Sequence, residues 1–170
     1  MNLLVERLLR AKGELLALRD YLIDQEDYDW SAMLSPWYGL VPEEFTLWMV
    51  NRFGDLIVVL GDGSIEMLDV SAGTRTRLAE NRDEFGDRID EEENANTWLM
   101  IPLVDACVQQ GLLLEPGQCY SFTTPPILGG DYSVANTEVA SIVDHYKLYG
   151  QLYQQLKDLP DGTQVSWRRT

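Results

Sequence analysis

The chain has 170 residues, 45% of them hydrophobic, and 13 Lys and Arg stand against 28 Asp and Glu for a formal net charge of -15. That length supports one sizeable core without requiring a second domain. The charge opposes nucleic acid and anionic membrane and favours a basic protein partner, while two cysteines without CxxC spacing, Cys107 and Cys119, provide neither a disulfide framework nor a four-ligand zinc site.

Leu4, Leu8, Ala11, Leu15, Leu18 and Leu22 recur at alternating spacings of four and three, which predicts an amphipathic helix over about residues 3–23. Glu6, Arg7, Arg10, Lys12 and Glu14 interrupt its leucines, so neither a signal peptide nor a membrane anchor is expected and the cytoplasm fits. The helix covers the domain's own core, or pairs with another chain. The stretch "DQEDYDWSAMLSPWYGLVPEE" has no sustained period and reads as an irregular connection over the core. Trp30, Trp37 and Tyr38 in it are candidate interface anchors as well as candidates for packing, because Trp and Tyr dominate binding hot spots.

From Thr46 the texture changes. "TLWMVNRFG", "DLIVVLG" and "SIEMLDV" are short β-rich runs split by "FGD" and "GDG" turns, which predicts a three-stranded meander, with a fourth strand near Thr74–Leu78. The first run also reads as the continuation of a helix begun at Pro42. Asn81 is placed to cap a helix over roughly residues 82–90. Residues 80–93, "ENRDEFGDRIDEEE", form the densest acidic cluster in the chain.

The apolar run after it, "NANTWLMIPLVDACVQQG", carries a cap at Asn96 or Thr97 and a stop at Gly111, but Pro102 forbids an unkinked helix throughout and a start near Pro102 is the alternative. A strand at "EPGQCYSF", the rigid loop "PPILGGDYSV", a β-rich "TEVASIV" and a terminal helix follow. Ile142, Tyr146, Tyr149, Tyr153 and Leu156 line one face of that helix, which ends before Pro160. The fold class expected is α+β, a single domain in which an antiparallel β-meander packs with N-terminal and C-terminal amphipathic helices. Residues 1–44 form an N-terminal helix and irregular segment laid on a main unit of residues 45–170.

Chemistry-bearing motifs are scarce. GxSxG, HExxH, GxxxxGK[ST] and a helix-opening GxGxxG are all missing, and "GDGSIEMLD" lacks the second and third acids of a calcium loop. His145 is the only histidine, and Cys119 with His145 is the one nucleophile–base pair that the composition allows. No cofactor, metal or catalytic residue is expected.

Several separated motifs resemble a known family. Phe53-Gly54-Asp55, Leu68-Asp69, Pro126-Ile127-Leu128-Gly129-Gly130, and Gly150-Gln151 through Lys157-Asp158-Leu159-Pro160 occur in the order seen in the C-terminal domain of type VI secretion immunity proteins of the Tdi class, over roughly residues 45–163. The resemblance implies a protein that binds a cognate toxin effector tightly inside the producing cell, by stoichiometric occlusion of its active site. The shared glycines and the "KDLP" segment read as fold determinants.

An inhibitor of a toxin that handles nucleotides or nucleic acid meets a basic active site, so an acidic face accelerates the encounter. The partner contact is therefore expected at Asp83, Glu84, Asp87, Asp90, Glu91, Glu92 and Glu93, with Trp30, Trp37 or Tyr38 as anchor and with no nucleic acid or membrane partner. Two alternatives remain at this level. One is a small-molecule or modification-reversing enzyme using Cys119, His145 or carboxylates; the other is a scaffold self-associating through Leu8 and Leu15.

Overall fold

A computed structural model of the chain describes residues 18–166. Apolar runs separated by tight turns make an antiparallel sheet in the order β1-β2-β3-β4, formed by Phe45–Val50, Leu56–Leu60, Ile65–Asp69 and Thr74–Ala79. The "TLWMV" run is thus a strand, and the meander has four strands. β2 is buried along nearly its whole length because both of its faces are covered. Leu56 and Val58 belong to one core cluster and Ile57 and Val59 to the other.

The β1–β2 turn is built around a buried asparagine. Asn51 Oδ1 accepts from the backbone N–H groups of Phe53 (2.9 Å) and Asp55 (3.0 Å). Its Nδ2 donates to Asp55 Oδ2 at 3.0 Å and to the Trp98 carbonyl at 3.1 Å. One side chain therefore satisfies the turn and ties it to the helices that follow β4, at a place where unpaired polar groups would each cost about 1–3 kcal/mol.

Those helices are α2 (Arg82–Ile89), α3 (Glu92–Trp98) and α4 (Ile101–Gln109); α1 is a single short turn at Trp30–Leu34, and α5 runs over Ile142–Leu156. Asn81 caps α2 as the sequence predicts, its side chain accepting from Glu84 N. The apolar run after the acids bears out the alternative start near Pro102, since α4 begins at Ile101, and departs from the reading capped at Asn96 or Thr97. A helix already starts at Glu92, breaks at Met100, where φ is +52°, and restarts with Pro102 in its first turn. Acids in the first turn of α3 suit the positive end of that helix, and a proline N-terminal to α4 costs no hydrogen bond.

α2–α4 pack Phe85, Trp98, Leu99 and Val104 on one face of the sheet, while α1 and α5 pack Leu34, Ile142, Tyr146 and Tyr149 on the other. The result is one compact α+β domain. A second sheet pairs β5 (Gln118–Phe122) with β6 (Thr137–Ser141), and the Tyr120 N–H donates to the Arg52 carbonyl at 2.8 Å, joining it to the β1–β2 turn.

The loop between β5 and β6 holds the "PPILGG" motif, and the structure gives it a folding role. The Ile127 N–H donates to Ser71 O at 3.2 Å, and Asn136 Nδ2 braces Thr124 O and Asp131 O at 2.9 and 2.8 Å. Gly130 lies so close to this brace that a Cβ would stand 1.8 Å from the Thr124 carbonyl oxygen. No side chain fits there.

Most of the predicted N-terminal helix lies outside the described residues. Its C-terminal end is not α-helical: Leu18–Tyr21 form a 3-10 turn, Tyr21 is buried, and the Ile23 N–H donates to Val50 O at 2.8 Å beside β1. Backbone pairing at the β1 edge draws this segment out of the 3.6-residue period.

Candidate functional surface

α2 and the start of α3 carry the acidic cluster, and both helices present it outward because their buried residues are Phe85 and Ile89, then Ala95 and Trp98. Asp83, Asp87, Asp90, Glu91, Glu92 and Glu93 are exposed and Glu84 is half-buried. The two arginines within the cluster lie over tryptophan rings at its edge, Arg82 exposed and Arg88 half-buried. Arg82 sits over the Trp48 ring with Cζ 5.3 Å from its centroid, and Arg88 sits over Trp98 at 5.9 Å while donating to the Leu78 carbonyl. Arg88 also lies 3.8 Å from Glu84. Stacking orients both cations over tryptophans while they stay accessible, and the acids outnumber them on this face.

The three aromatic candidates separate. Trp37 is 1% exposed, with its ring stacked on Tyr153 at 5.4 Å, so it is a core residue and offers no surface anchor. Burial against α5 decides this. Trp30 is half-buried, edge-on to Tyr146, with its Nε1 donating to the Gln25 carbonyl at 3.0 Å. Tyr38 is 75% exposed and is the one of the three that reaches fully into solvent.

Cys119 and His145 are both sealed in the core. Burial pushes the Cys119 thiol well up and holds His145 down at about 4, so the thiol stays protonated and the imidazole neutral. His145 Nδ1 lies 3.1 Å from Ser121 Oγ, so its near partner is a hydroxyl and not the cysteine thiol.

An open cleft of about 440 Å³ lies beside the acidic face, where β3 and β4 leave the sheet uncovered next to the α3–α4 corner. Asp55, at its floor, is 2% exposed and accepts from Asn51 Nδ2 and from Val70 N at 3.0 Å. Asp69 is less buried; its Oδ1 accepts from Ser71 Oγ and Ala72 N, each at 2.8 Å, and Tyr132 OH donates to its Oδ2 at 3.4 Å. Burial first, and then the charge of Asp69, push the Asp55 carboxyl well above the usual range. Sequence reading missed this cleft, although both aspartates stand in motifs it singled out, "FGD" and "LD".

Among the described residues no helix is long and apolar enough to cross a membrane, and no group of three or more His, Cys, Asp or Glu is arranged to hold a metal ion.

Residues 79–153 match the family described as T6SS immunity protein Tdi1, C-terminal. The match begins at the end of β4 and runs through α2–α4, β5 and β6 into α5; Phe53-Gly54-Asp55, Leu68-Asp69 and Lys157 through Pro160 fall outside it. No curated protein matches the chain. Among solved structures, the crystal structure of Atu4351 from Agrobacterium tumefaciens is similar at a TM-score of 0.42 and 18% identity. That likeness covers 71% of this chain and 62% of the other, so the chain spans about three fifths of that protein's length.

Proposed function

We propose, from the Tdi1-type immunity domain that residues 79–153 carry, that this protein binds a cognate type VI secretion toxin in the cytoplasm of the producing cell and neutralises it by stoichiometric occlusion of its active site. The family match is the observation that carries the reading. The outward acidic face of α2 and α3 supports a toxin whose active site is basic, as one handling nucleotides or nucleic acid would be. Asp83, Glu84, Asp87, Asp90, Glu91, Glu92 and Glu93 supply the steering charge, whereas Trp30 and Tyr38 lie beside α5 on the opposite side of the sheet and would anchor only a contact separate from the acidic face. Affinity of this kind resides mainly in slow release from a large preorganised surface, and it requires neither a cofactor nor turnover. The protonated, enclosed Cys119 and the neutral, enclosed His145 support a binding protein over a modification-reversing enzyme.

The test is capture of the tagged chain from its own cells at moderate salt, followed by titration of the captured effector. The expected result is one stoichiometric partner carrying a basic toxin domain, with protection that ends near a 1:1 ratio. Protection far below that ratio, lost in Cys119→Ser or His145→Ala, would instead establish the enzyme.

A further inference from the structure

We propose that the cleft between the β3–β4 face and the α3–α4 corner is a receptor for an arginine side chain of the partner protein, with the guanidinium on Asp69 above Asp55 and the aliphatic stem against Met67, Met100 and Leu103. The identity of the partner as the toxin rests on the immunity reading; the chemistry of the cleft does not.

Three observations converge on this occupant. First, the lining mixes kinds, since Met67, Met100, Pro102, Leu103 and the ring of Tyr132 supply apolar surface, threonines and Asn96 supply neutral polar groups, and the only charged groups are the two carboxylates. A long apolar stem with a terminal cation matches that lining, whereas a metal ion would find only two carboxylates there, and no cluster of three or more His, Cys, Asp or Glu lies among the described residues. Second, the two carboxylates oppose one another, and the buried Asp55 ionises only with difficulty in the charge field of Asp69. A cation placed there relieves both effects, and a guanidinium N–H can donate to Asp69 Oδ2, whose other partner is the Tyr132 hydroxyl at 3.4 Å. Tyr132, 49% exposed at the lip and held edge-on to Phe122 at 5.2 Å, offers a ring face for stacking.

Third, the cleft is continuous with the acidic face. Asn96 and Thr97 line it, and Glu92 and Glu93 lie one turn earlier on the same helix. Thr97 Oγ1 donates to the Glu93 carbonyl at 2.8 Å. Charge that draws a basic surface toward α3 therefore delivers its side chains to the mouth of a cleft with complementary charge.

The cation site is tested without the toxin, by titrating n-butylguanidinium into the full chain and following methionine methyl resonances, with n-butylurea as the neutral isostere. Saturable shifts at Met67 and Met100, with Met33 and Met49 unmoved, are expected for the cation alone and at least tenfold weaker in Asp69→Asn. Equal responses to the two compounds, or an unchanged response in Asp69→Asn, would overturn the site. Assignment to the partner is tested with Thr76→Lys, which places an amine within the cleft from β4. The variant should hold its thermal midpoint within a few degrees and lose at least tenfold in affinity for the captured effector. Undiminished affinity would overturn the assignment. A wild-type chain that took n-butylguanidinium in the cleft yet captured no effector would defeat the immunity reading and leave the cation site standing.

Discussion

Gly54 and His145 are packed so closely that a Cβ on Gly54 would stand 2.9 Å from His145 Nε2, and Gly54 also has φ +81°. The glycine is required twice, once by the left-handed backbone of the turn and once by the imidazole from α5 that crosses it. Tyr146, the next residue on α5, donates its hydroxyl to the Gly54 carbonyl. The "FGD" motif and the terminal helix are thus two halves of one contact. Gly54→Ala is expected to destabilise the chain by roughly 2–4 kcal/mol, from backbone strain plus overpacking. Urea unfolding checks the loss, and a double-mutant cycle with His145→Ala should return part of it, because the second change removes the clash.

His145 also makes stability depend on pH. Burial lowers its folded pKa from 6.5 to about 4, so the unfolded chain takes up a proton before the folded one does. Its contribution is complete above pH 6.5 and is lost as pH falls toward about 4, up to about 3 kcal/mol in all. Asp55 works in the opposite sense: its raised folded pKa favours the folded state at acid pH, a contribution lost as pH rises through that folded value. Comparing the wild type with His145→Gln isolates the histidine. The melting midpoint of the variant should fall less steeply between pH 6.5 and 4.

Gly150 reverses an ordinary rule. Alanine in a helix interior is favoured over glycine by about 1 kcal/mol. Here a Cβ would stand 2.7 Å from Pro36 Cβ and 3.0 Å from Trp37 Nε1, because the segment after α1 lies directly on α5. Overpacking costs about 1–3 kcal/mol and exceeds the propensity gain. Gly150→Ala is therefore expected to lower the melting midpoint and to shift the Trp37 emission as the segment is displaced, whereas a rise in the midpoint would show that the segment yields freely.

Charge reversal at Glu91, Glu92 and Glu93 should act on encounter far more than on folding. These residues are exposed, and the helix-dipole penalty for cations at the start of α3 is about 0.3–1 kcal/mol each. The association rate with the captured toxin is expected to fall about tenfold at low salt and to converge with the wild type as salt rises, with a smaller change in dissociation. Stopped-flow binding at two ionic strengths measures this directly. Equal rates would reduce the cluster to solvated surface.

What the sequence settled is what neighbours along the chain decide. The β2 and β3 runs, the Asn81 cap of α2 and the apolar stripe of α5 all follow from periods and caps that operate within a few residues. The four-stranded meander was legible for the same reason, and so was the acidic composition of residues 80–93. Distant contacts decided the rest. Trp37 is a core residue because α5 arrives on it from more than a hundred positions away, and Arg82 and Arg88 take their orientation from Trp48 and Trp98, on which they stack. The break at Met100 turns α4 back on the sheet, and only that turn brings the α3–α4 corner over Asp55 and Asp69. Periodicity reports which face of an element is apolar, while the groups that meet across the core depend on a packing geometry that no local pattern encodes.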